Sequence, residues 1–327
     1  MTRPQISVVM SVYNGAGYLA ESIDSILIQE GADFEFIIVN DGSSDESPHL
    51  LDQYAAQDSR LRVIHQENQG LTRALIRGCA EARGELIARQ DVGDRSEAGR
   101  LADQAAALDA DPQTVFSSCW TRVEGPAGEF LHEVRGSGYA SDPAWVLNPE
   151  AQWGMLDGPT WHPSVMFRRD AYEQAGGYRA AFRVGQDWDL WYRLATLGRF
   201  QMLQQPLYSA RIDYGGISAT RSAEQARFAM LSLEAMRLRA RGQSDADVLA
   251  RAAAIQPDPV RATLRAQRAR ISYFVGEGLR KNGDRRAMRY LVDAVRQGPL
   301  KLKHWVRLLQ GSALLLRHPP TRASRSQ

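Results

Sequence analysis

The sequence predicts an α/β fold, in which a mostly parallel sheet is flanked by helices and followed by a helical C-terminal extension. Short strands with apolar residues on both faces alternate with amphipathic helices over roughly the first 110 residues, as in a covered parallel sheet. The chain after residue 222 is helical in pattern almost throughout, which predicts the extension.

Four N-terminal segments have the composition of buried parallel strands, since β-branched or apolar residues occupy both of their faces. They are Ile6–Val12, Phe34–Val39, Leu61–Ile64 and Leu86–Ala88. The segments between them carry apolar residues at helical spacing: Tyr18–Gln29, Ser47–Gln57 and Leu71–Arg83. Such alternation builds right-handed βαβ units, in which ligands bind beyond the carboxyl ends of the strands.

The alternation weakens after a predicted helix at Ala98–Ala110. Four later segments have the pattern of strands: Thr114–Val123, Val165–Arg168, Gln201–Leu203 and Leu207–Arg211. Asp187–Leu197 has the pattern of a helix that ends at Gly198.

Length and composition are those of an ordinary globular protein. The chain has 327 residues, 44% hydrophobic and 24% charged, which suits one large domain with an appendage. The N-terminus lacks the pattern of a signal peptide, and Trp305–Leu316 is shorter than the ~20 apolar residues that span a bilayer. We therefore expect a cytoplasmic protein. Cys79 and Cys119 have neither disulfide nor metal-site spacing, so we expect both to be buried apolar side chains.

The formal net charge of +2 is unevenly distributed along the chain. Residues 223–327 hold 21 Lys and Arg against 8 Asp and Glu, whereas residues 1–222 hold 19 against 30. Segregation of charge on this scale predicts two domains, 1–222 and 223–327, of which the second has an anionic partner.

Two loops that follow predicted strands carry polar residues suited to binding. Tyr13 and Asn14 end the first strand, although an ordinary strand end explains them equally. Asp41 follows the second strand, where a carboxylate could meet the polar edge of a nucleoside. In the same loop Ser43 and Glu46 have the spacing of a capping box, which accounts for the serine but not for Asp41.

The loop after the fourth strand carries two carboxylates, Asp91 and Asp94, within Ala88–Asp94. Carboxylates three residues apart at a strand exit can hold Mg²⁺ or Mn²⁺, with diphosphate oxygens and waters completing the shell. A solvated loop would have a similar composition, so the motif is weak by itself.

The last motif is Gln186-Asp187-Trp188-Asp189-Leu190-Trp191. Asp187 is placed either to cap a helix or to take a proton from an acceptor hydroxyl. Trp188 and Trp191 share one helical face, and core packing explains them better than contact with a sugar.

Taken in order, these motifs resemble those of the family 2 glycosyltransferases, which have the GT-A fold. The matching segments are SVYN at 11–14, VNDGSSD at 39–45, ARQDVGD at 88–94, WHPSVMFRR at 161–169, GGY at 176–178 and QDWDLWYRL at 186–194. The resemblance implies an inverting enzyme that transfers a sugar from a UDP- or dTDP-sugar to a hydroxyl of a glycan or lipid-linked acceptor. In many relatives such transfer serves the assembly of cell-surface polysaccharide or lipopolysaccharide.

The resemblance also implies roles for individual residues. Asp187 corresponds to the general base of a single in-line displacement. The nucleotide pocket corresponds to Val12, Tyr13, Asn14, Asp41, Gly70, Arg89 and Asp91, the metal site to Asp91, Asp94 and Asp213, and the acceptor side to His162, Gln186 and Trp188.

Three positions depart from the family pattern. Gly93 stands where the metal motif has an acid, Gln186 replaces the Glu before the base, and Asp213 replaces a His. Asp94 or Asp213 would have to supply the metal-binding carboxylate that is missing at Gly93. Loss of an acidic neighbour, together with a helix N-terminus, predicts a lowered pKa for Asp187. The departures leave open a catalytically impaired nucleotide-sugar binder or assembly partner.

The sequence argues against a nicotinamide cofactor and against a nucleic-acid partner. The first strand leads into Tyr13–Gly17 rather than a glycine-rich phosphate turn, which argues against a nicotinamide-dependent oxidoreductase. No nucleic acid is expected, because the arginines of the C-terminal segment are scattered and accompany no recognition motif.

The C-terminal segment Lys301–Arg317 mixes Leu, Trp305 and Val306 with cationic side chains. That composition suits a helix lying in an anionic membrane interface, peripheral on the inner face of the membrane. A helical pair with a solvated basic face, packed on the catalytic domain, explains the same residues equally well.

Overall fold

The computed structural model describes residues 4–136, 158–215, 222–256 and 264–317. The strands within these ranges are β1 (Ile6–Val12), β2 (Phe34–Asp41), β3 (Leu61–Gln66), β4 (Leu86–Asp91), β5 (Arg95–Ser96), β6 (Thr114–Glu124), β7 (Phe130–Val134), β8 (Met166–Arg168) and β9 (Arg199–Arg211). They form one sheet in the order β3-β2-β1-β4-β8-β6-β9-β5, and β7 pairs with β6.

The sheet is parallel in its first half and antiparallel where β8 joins it. β1 pairs in parallel with β2 and with β4, and β2 pairs in parallel with β3. β8 is antiparallel to both β4 and β6. The four parallel strands are those predicted from the sequence. Three of them extend further at their carboxyl ends, because the backbone ladder continues through polar residues that carry no apolar signal.

The helices before residue 200 are α1 (Ala16–Leu27), α2 (Ser47–Gln57), α3 (Leu71–Ala80), α4 (Arg100–Ala110), α5 (Arg169–Gln174) and α6 (Gln186–Leu194). Those that follow are α7 (Ser222–Ala240), α8 (Ala246–Ala254), α9 (Leu264–Lys281), α10 (Ala287–Gln297) and α11 (Leu302–Arg317). The predicted α/β fold with a helical C-terminal region is confirmed.

Two hydrophobic cores lie on opposite faces of the parallel strands. On one face, Met10 of β1 packs with Leu19 of α1 and Leu101 of α4, all fully buried. On the other face, Val9 packs with Leu75 of α3 and Leu190 of α6. Neighbouring residues of one strand thus enter different cores, which is why β1 is apolar at nearly every position.

The two cysteines are buried as expected, Cys79 in the core around Val9 and Cys119 in a separate cluster with Tyr208 of β9. Cys79 and Cys119 are both buried and free. Burial raises the pKa of each thiol to about 11, so both remain protonated and behave as small apolar side chains.

The structure differs from the predicted elements in the second half of the chain. The two short strands predicted at Gln201–Leu203 and Leu207–Arg211 are one strand, β9, that continues through Pro206. Proline lacks only one ladder donor and is tolerated where that donor is not needed. Three elements were not predicted: β5, β7 and α5, which are two, five and six residues long. Segments this short show too few repeats of any hydrophobic period.

The chain forms two compact units. One contains residues 1–122, 133–210 and 223–257, and the other contains 123–132, 211–222 and 258–327. The sequence-based boundary after residue 222 assigned α7 and α8 to the extension. Those helices belong to the first unit, where Phe228 and Ala252 are fully buried against Phe182 and Val184.

In its described residues, the second unit combines a β-hairpin with the helices α9, α10 and α11. The hairpin joins the end of β6 to β7, and its Leu131 carbonyl accepts a hydrogen bond of 2.8 Å from the Asn282 side chain after α9. Within the described residues, no helix of either unit is both long and apolar enough to cross a membrane.

Candidate functional site

The candidate site lies at the carboxyl ends of the parallel strands. The register places Val12 beside Asn40, Ser11 beside Asp91, and Asp41 beside Gln66. Because parallel strands end at a common edge, the loops that begin at these residues are neighbours. The segments predicted from sequence to bind a nucleotide therefore meet at one edge of the sheet.

The loops after β1 and β2 are joined by hydrogen bonds. Asn14 has a φ of 51°, a left-handed conformation that Asn tolerates better than most residues. Its N–H donates to Ser43 Oγ at 2.9 Å, and its Oδ1 accepts from the Ser44 N–H at 2.8 Å. This arrangement orders the backbone around Tyr13, whose side chain is 57% exposed at the edge. Val12 is fully buried and could reach a ligand only through its backbone.

Asp45 performs the capping that the sequence analysis gave to Ser43 and Glu46. Its carboxylate accepts from the Ala16 N–H at the start of α1 and from the Ser47 N–H at the start of α2, both at 3.0 Å. Desolvation opposes ionisation of Asp45, but these hydrogen bonds outweigh it and lower its pKa. The capping-box prediction was therefore wrong, because Ser43 is engaged by the first loop instead.

Asp41 fixes the loop that leads into α3. Its Oδ1 accepts from Gln66 Nε2 at 2.7 Å and from the Gln69 N–H at 2.9 Å, and its Oδ2 accepts from the Gly70 N–H at 2.8 Å. The side chain is almost wholly buried. Gly70 has a φ of 88°, which glycine adopts without strain. Asp41 thus shapes this part of the edge, and Oδ2 keeps capacity for a further donor.

Arg89 supports Asp91 from beneath the site. Its guanidinium is fully buried, donates to the Val9 carbonyl at 2.5 Å, and pairs with Asp91 Oδ1 at 2.6 Å. The side chain of Asp91 is 33% exposed. Although burial favours the neutral form, the Asp91 charge keeps the pKa of Arg89 above its ordinary value. A buried guanidinium leaves no surface for a nucleotide, so the structure places Arg89 behind Asp91 rather than in the pocket.

Asp94 is turned into the protein. It is 5% exposed, and its Oδ2 accepts from the Tyr208 hydroxyl at 3.0 Å. Gly93 has a φ of 92°, and its N–H donates to Ser22 Oγ at 2.9 Å. A carboxylate this enclosed is less accessible to a ligand than that of Asp91.

Arg100 is a residue of this region that the sequence analysis missed. Its fully buried guanidinium donates to the Arg89 carbonyl at 2.9 Å and to the Pro163 carbonyl at 2.7 Å. It therefore ties β4 to the segment His162–Ser164, which forms a 3₁₀ turn. A single arginine at the start of a helix gives no sequence signal of such a role.

Asp187 lies in the first turn of α6, after a left-handed Gly185. Its Oδ1 accepts from the Trp188 N–H at 3.0 Å. Burial raises its pKa to about 6; backbone hydrogen bonds and Arg89 oppose that rise, and the charge of Asp91 adds to it. The electrostatic influence of Asp91 and Arg89 places Asp187 in the same neighbourhood as the β4 loop.

The predicted lowering of the Asp187 pKa was wrong. The absence of an acid at position 186 and the helix N-terminus both favour ionisation of Asp187, and that prediction was based on these two effects. Desolvation of Asp187 exceeds both effects, and Asp91 supplies a like charge from a distant part of the chain. Neither influence can be seen in the local sequence.

His162 contacts two aromatic side chains, Tyr178 and Trp191. The His162 Nε2 lies 2.7 Å from the Tyr178 hydroxyl, and the imidazole ring meets Trp191 edge to face. Burial lowers the pKa of His162 well below its ordinary value, with Arg89 adding to the effect. The imidazole is therefore neutral at physiological pH. The buried hydroxyl of Tyr178, on the GGY segment, orients it.

The two other predicted acceptor-side residues differ in their surroundings. The Oε1 atom of Gln186 is buried without a hydrogen-bond partner, an arrangement with a substantial desolvation cost. Trp188 packs against Trp191 and Tyr192, at ring distances of 5.0 and 5.7 Å. Much of the Trp188 ring is thus in contact with other aromatic side chains, as its spacing along the helix indicated.

The predicted third metal ligand, Asp213, lies in the second compact unit. Its carboxylate accepts from the N–H groups of Tyr214 at 2.7 Å and Gly215 at 3.3 Å. In the part of the chain that the structure describes, no group of three or more His, Cys, Asp or Glu side chains is arranged to hold a metal ion.

The sequence matches the model of the family described as "Glycosyl transferase family 2" over residues 7–175. This match spans more than half of the chain and contains the loops after β1, β2 and β4. The chain belongs to glycosyl transferase family 2. The predicted family and the predicted class of enzyme are confirmed.

Two relatives and one solved structure place this family 2 member among known proteins. It is 35% identical to the glycosyltransferase EpsE of Bacillus subtilis over 217 residues, which are 64% of this chain and 74% of EpsE. It is 29% identical over 238 residues to the O-antigen biosynthesis protein RfbC of Myxococcus xanthus, covering 68% of this chain but 17% of RfbC. The fold is shared with S. aureus TarS 1–349, crystallised with UDP, at a TM-score of 0.54 and 14% identity over 95% of this chain and 88% of TarS.

Proposed function

We propose that the chain transfers a sugar from a UDP- or dTDP-sugar to an acceptor hydroxyl, with inversion at the anomeric carbon and Asp187 as the general base. The observation that carries the proposal is a desolvated carboxylate, Asp187, electrostatically coupled to Asp91 at the carboxyl edge of the sheet. The UDP complex of TarS, which shares the fold, supports a nucleotide-sugar donor.

The pKa of Asp187 suits proton abstraction at neutral pH. With a value of about 6 it is ionised at pH 7 yet more basic than an ordinary carboxylate. A single displacement requires one base and no carboxylate nucleophile. Since Asp187 is held at the start of α6, positioning would contribute to the rate along with basicity.

The donor nucleotide would occupy the edge formed by the first two loops. The exposed ring of Tyr13 offers a face for the base, and Asn14 holds the backbone that presents it. Asp41 and Gly70 form the floor between β2 and α3. Asp91 would face the diphosphate.

A divalent cation fits this arrangement through Asp91. Mg²⁺ and Mn²⁺ sites in phosphate-binding enzymes use one or two carboxylates, with the substrate's phosphate oxygens as further ligands. Asp91 is partly exposed and meets that requirement, whereas the Asp94 carboxylate is enclosed by Tyr208. When bound, the cation would neutralise charge on the diphosphate. The ion pair with Arg89 would hold the Asp91 carboxylate in position.

The acceptor would approach from the side of His162 and Gln186. A neutral imidazole can both donate a hydrogen bond to a sugar hydroxyl and accept one from it. We propose a glycan or lipid-linked acceptor in cell-surface polysaccharide assembly. The likeness to an O-antigen biosynthesis protein supports this class of acceptor.

A second candidate, a nucleotide-sugar binder without transferase activity, is favoured by the metal loop. Gly93 removes an acid from that loop, and one oxygen of Asp91 is already engaged by Arg89. Such a protein would bind the donor and leave the glycosidic bond intact.

Calorimetric titration with UDP and with dTDP, each with Mn²⁺ or with EDTA, tests the donor site on the wild type and on Asp91→Asn. We expect metal-dependent binding of one nucleotide that falls at least about tenfold in the variant, the effect of losing a charged ligand. Equal affinity in EDTA would contradict the metal proposal, and no binding of either nucleotide would contradict the donor site.

Hydrolysis of UDP-sugars and dTDP-sugars separates the two candidates. A transferase without its acceptor commonly passes the sugar slowly to water, and that activity should disappear in Asp187→Asn while nucleotide binding persists. Binding without turnover, even with glycan acceptors supplied, would favour the non-catalytic candidate.

A further inference from the structure

The last helix, α11, presents an apolar stripe to solvent. Leu302, Trp305, Val306 and Leu309 have the i, i+3, i+4, i+7 spacing of one helical face, and their exposed fractions are 76%, 45%, 41% and 70%. Leu300, just before the helix, is 98% exposed. The apolar face of a surface helix ordinarily packs inward, so an outward stripe marks a surface that receives a partner.

The opposite side of α11 anchors the helix to α10. His304 is 1% exposed, and its Nδ1 lies 2.9 Å from the Ala294 carbonyl. Gly311 is also buried, and a Cβ there would lie 2.9 Å from Met288 Sδ. Rotating the helix to bury its leucines would break these contacts, so the outward direction of the stripe is built into the packing.

The surroundings of the stripe are strongly cationic. Residues 264–317 hold 13 Lys and Arg against 3 Asp and Glu, and Leu302–Arg317 holds no acid. Each of the three acids already pairs with an arginine: Glu277 with Arg280, Asp284 with Arg286, and Asp293 with Arg268. Lys301 and Lys303 flank the stripe and are exposed. Positive charge beside exposed leucines favours a binding partner whose surface is both apolar and anionic.

Trp305 fits the boundary between lipid headgroups and acyl chains. Its indole N–H donates to the Pro299 carbonyl at 2.8 Å, so its polar atom is satisfied within the protein. The rest of the ring is available to an apolar environment. Tryptophan is enriched at membrane interfaces because it combines a large apolar ring with one polar group.

We propose that this face, formed by Leu300, Leu302, Trp305, Val306 and Leu309 with Lys301 and Lys303, binds the surface of an anionic phospholipid bilayer. The helix would lie in the interface with its stripe among the acyl chains and its lysines at the headgroups. A second copy of the chain is a poorer occupant, because it would bring two cationic faces together. The inference goes beyond sugar transfer and does not depend on it.

Vesicle co-sedimentation of the full chain tests the proposal. We expect binding to phosphatidylcholine vesicles containing about 30% phosphatidylglycerol, and at least about tenfold weaker binding to phosphatidylcholine alone, since the two lysines of the face act together. The variant Leu302→Gln/Trp305→Gln/Leu309→Gln should lose binding by at least about tenfold. Lys301→Gln/Lys303→Gln should bind less tightly and lose most of its preference for anionic vesicles.

A matched control is Ile28→Gln/Met230→Gln, which removes two apolar side chains that are 69% and 54% exposed in the first compact unit. It should bind vesicles like the wild type. All changes are at exposed positions, so the melting temperature should stay constant and verifies folding. Equal loss in the control and stripe variants would overturn the proposal. So would a wild type that binds no vesicles but forms a dimer, by light scattering, which the stripe variant abolishes.

Discussion

At the scale of single residues, the environment of Asp187 shows how a carboxylate can be prepared to act as a base. Burial and the like charge of Asp91 raise its pKa, while Arg89 and the Trp188 N–H restrain that rise. The balance leaves the group ionised at pH 7 and more basic than an exposed Asp. The rate of turnover and the free energy of unfolding should therefore both depend on the ionisation of Asp187.

The pH dependence of turnover should follow the ionisation of Asp187. Because the base must be deprotonated, kcat/KM should rise with pH through about 6 and level off above pH 7. Initial rates with saturating metal, measured from pH 5 to 8, provide the check. An acid limb centred near pH 4 would mean that Asp187 keeps an ordinary carboxyl pKa or is not the base.

Replacing Asp187 by Asn should stabilise the fold at neutral pH. The folded pKa of about 6 exceeds the ordinary 3.8, so the native state binds this proton more tightly and loses stability as pH rises between those values. Removing the charge should raise the free energy of unfolding by about 1 to 3 kcal/mol at pH 7. At pH 4, the free energies of unfolding of the variant and of the wild type, measured with urea in EDTA, should be equal. A variant that is less stable at pH 7 would contradict the inferred desolvation.

Asp41 should matter for stability as well as for the nucleotide site. Its two oxygens accept three hydrogen bonds, and an amide in their place would set an NH₂ group against one of those donors. We expect Asp41→Asn to lower the free energy of unfolding by about 2 kcal/mol and to weaken UDP binding. Asp52→Asn, at a position 67% exposed, is the control for carboxylate loss. Unchanged stability would mean that the loop reorganises freely.

At the scale of elements, one carboxylate links the first two helices. Asp45 accepts from backbone N–H groups at the starts of both α1 and α2, where unpaired donors attract negative charge. This shared cap holds the two glycine-containing loops in one arrangement. The local sequence indicated a cap in this loop but assigned it to the wrong residues.

Asp45→Ala should destabilise the protein by about 1 to 2 kcal/mol at pH 7, the usual effect of losing a helix cap. The lowered pKa of Asp45 means that its contribution is present above pH 4 and is lost as pH falls through the folded value. The difference from wild type should therefore shrink in acid. Glu46→Ala removes an adjacent exposed acid with no capping bond and should have little effect. Equal effects of the two variants would restore the capping-box interpretation.

At the scale of the whole molecule, the two compact units have separate sources of stability. In the second unit, Glu129 is fully buried and accepts hydrogen bonds from the Tyr290 hydroxyl at 2.7 Å and from Arg289. The Ala127 N–H donates to the same carboxylate at 2.9 Å. One buried acid thus joins the β6–β7 hairpin to α10.

Glu129→Gln should loosen the second unit selectively. A neutral amide cannot accept all of these hydrogen bonds, and the local free energy of opening should fall by about 2 to 3 kcal/mol. Hydrogen exchange should show faster exchange in α9 and α10 and unchanged rates in β1, β2 and β4. Asp247→Asn, 83% exposed, is the matched surface control. Uniformly faster exchange throughout would mean that the units open together.

The amino-acid sequence alone was enough to predict the parallel half of the sheet, its flanking helices, the family and the class of enzyme. Strands buried on both faces and amphipathic helices carry their periods locally, and the motifs at the carboxyl ends of the strands arrive in a recognisable order. The tertiary structure decided what each polar side chain does. Arg89 lies behind Asp91, Asp94 turns inward to Tyr208, and Asp45 caps two helices. It also decided that burial raises the pKa of Asp187. Hydrogen bonding and desolvation depend on residues far apart in the chain, and no local pattern records them.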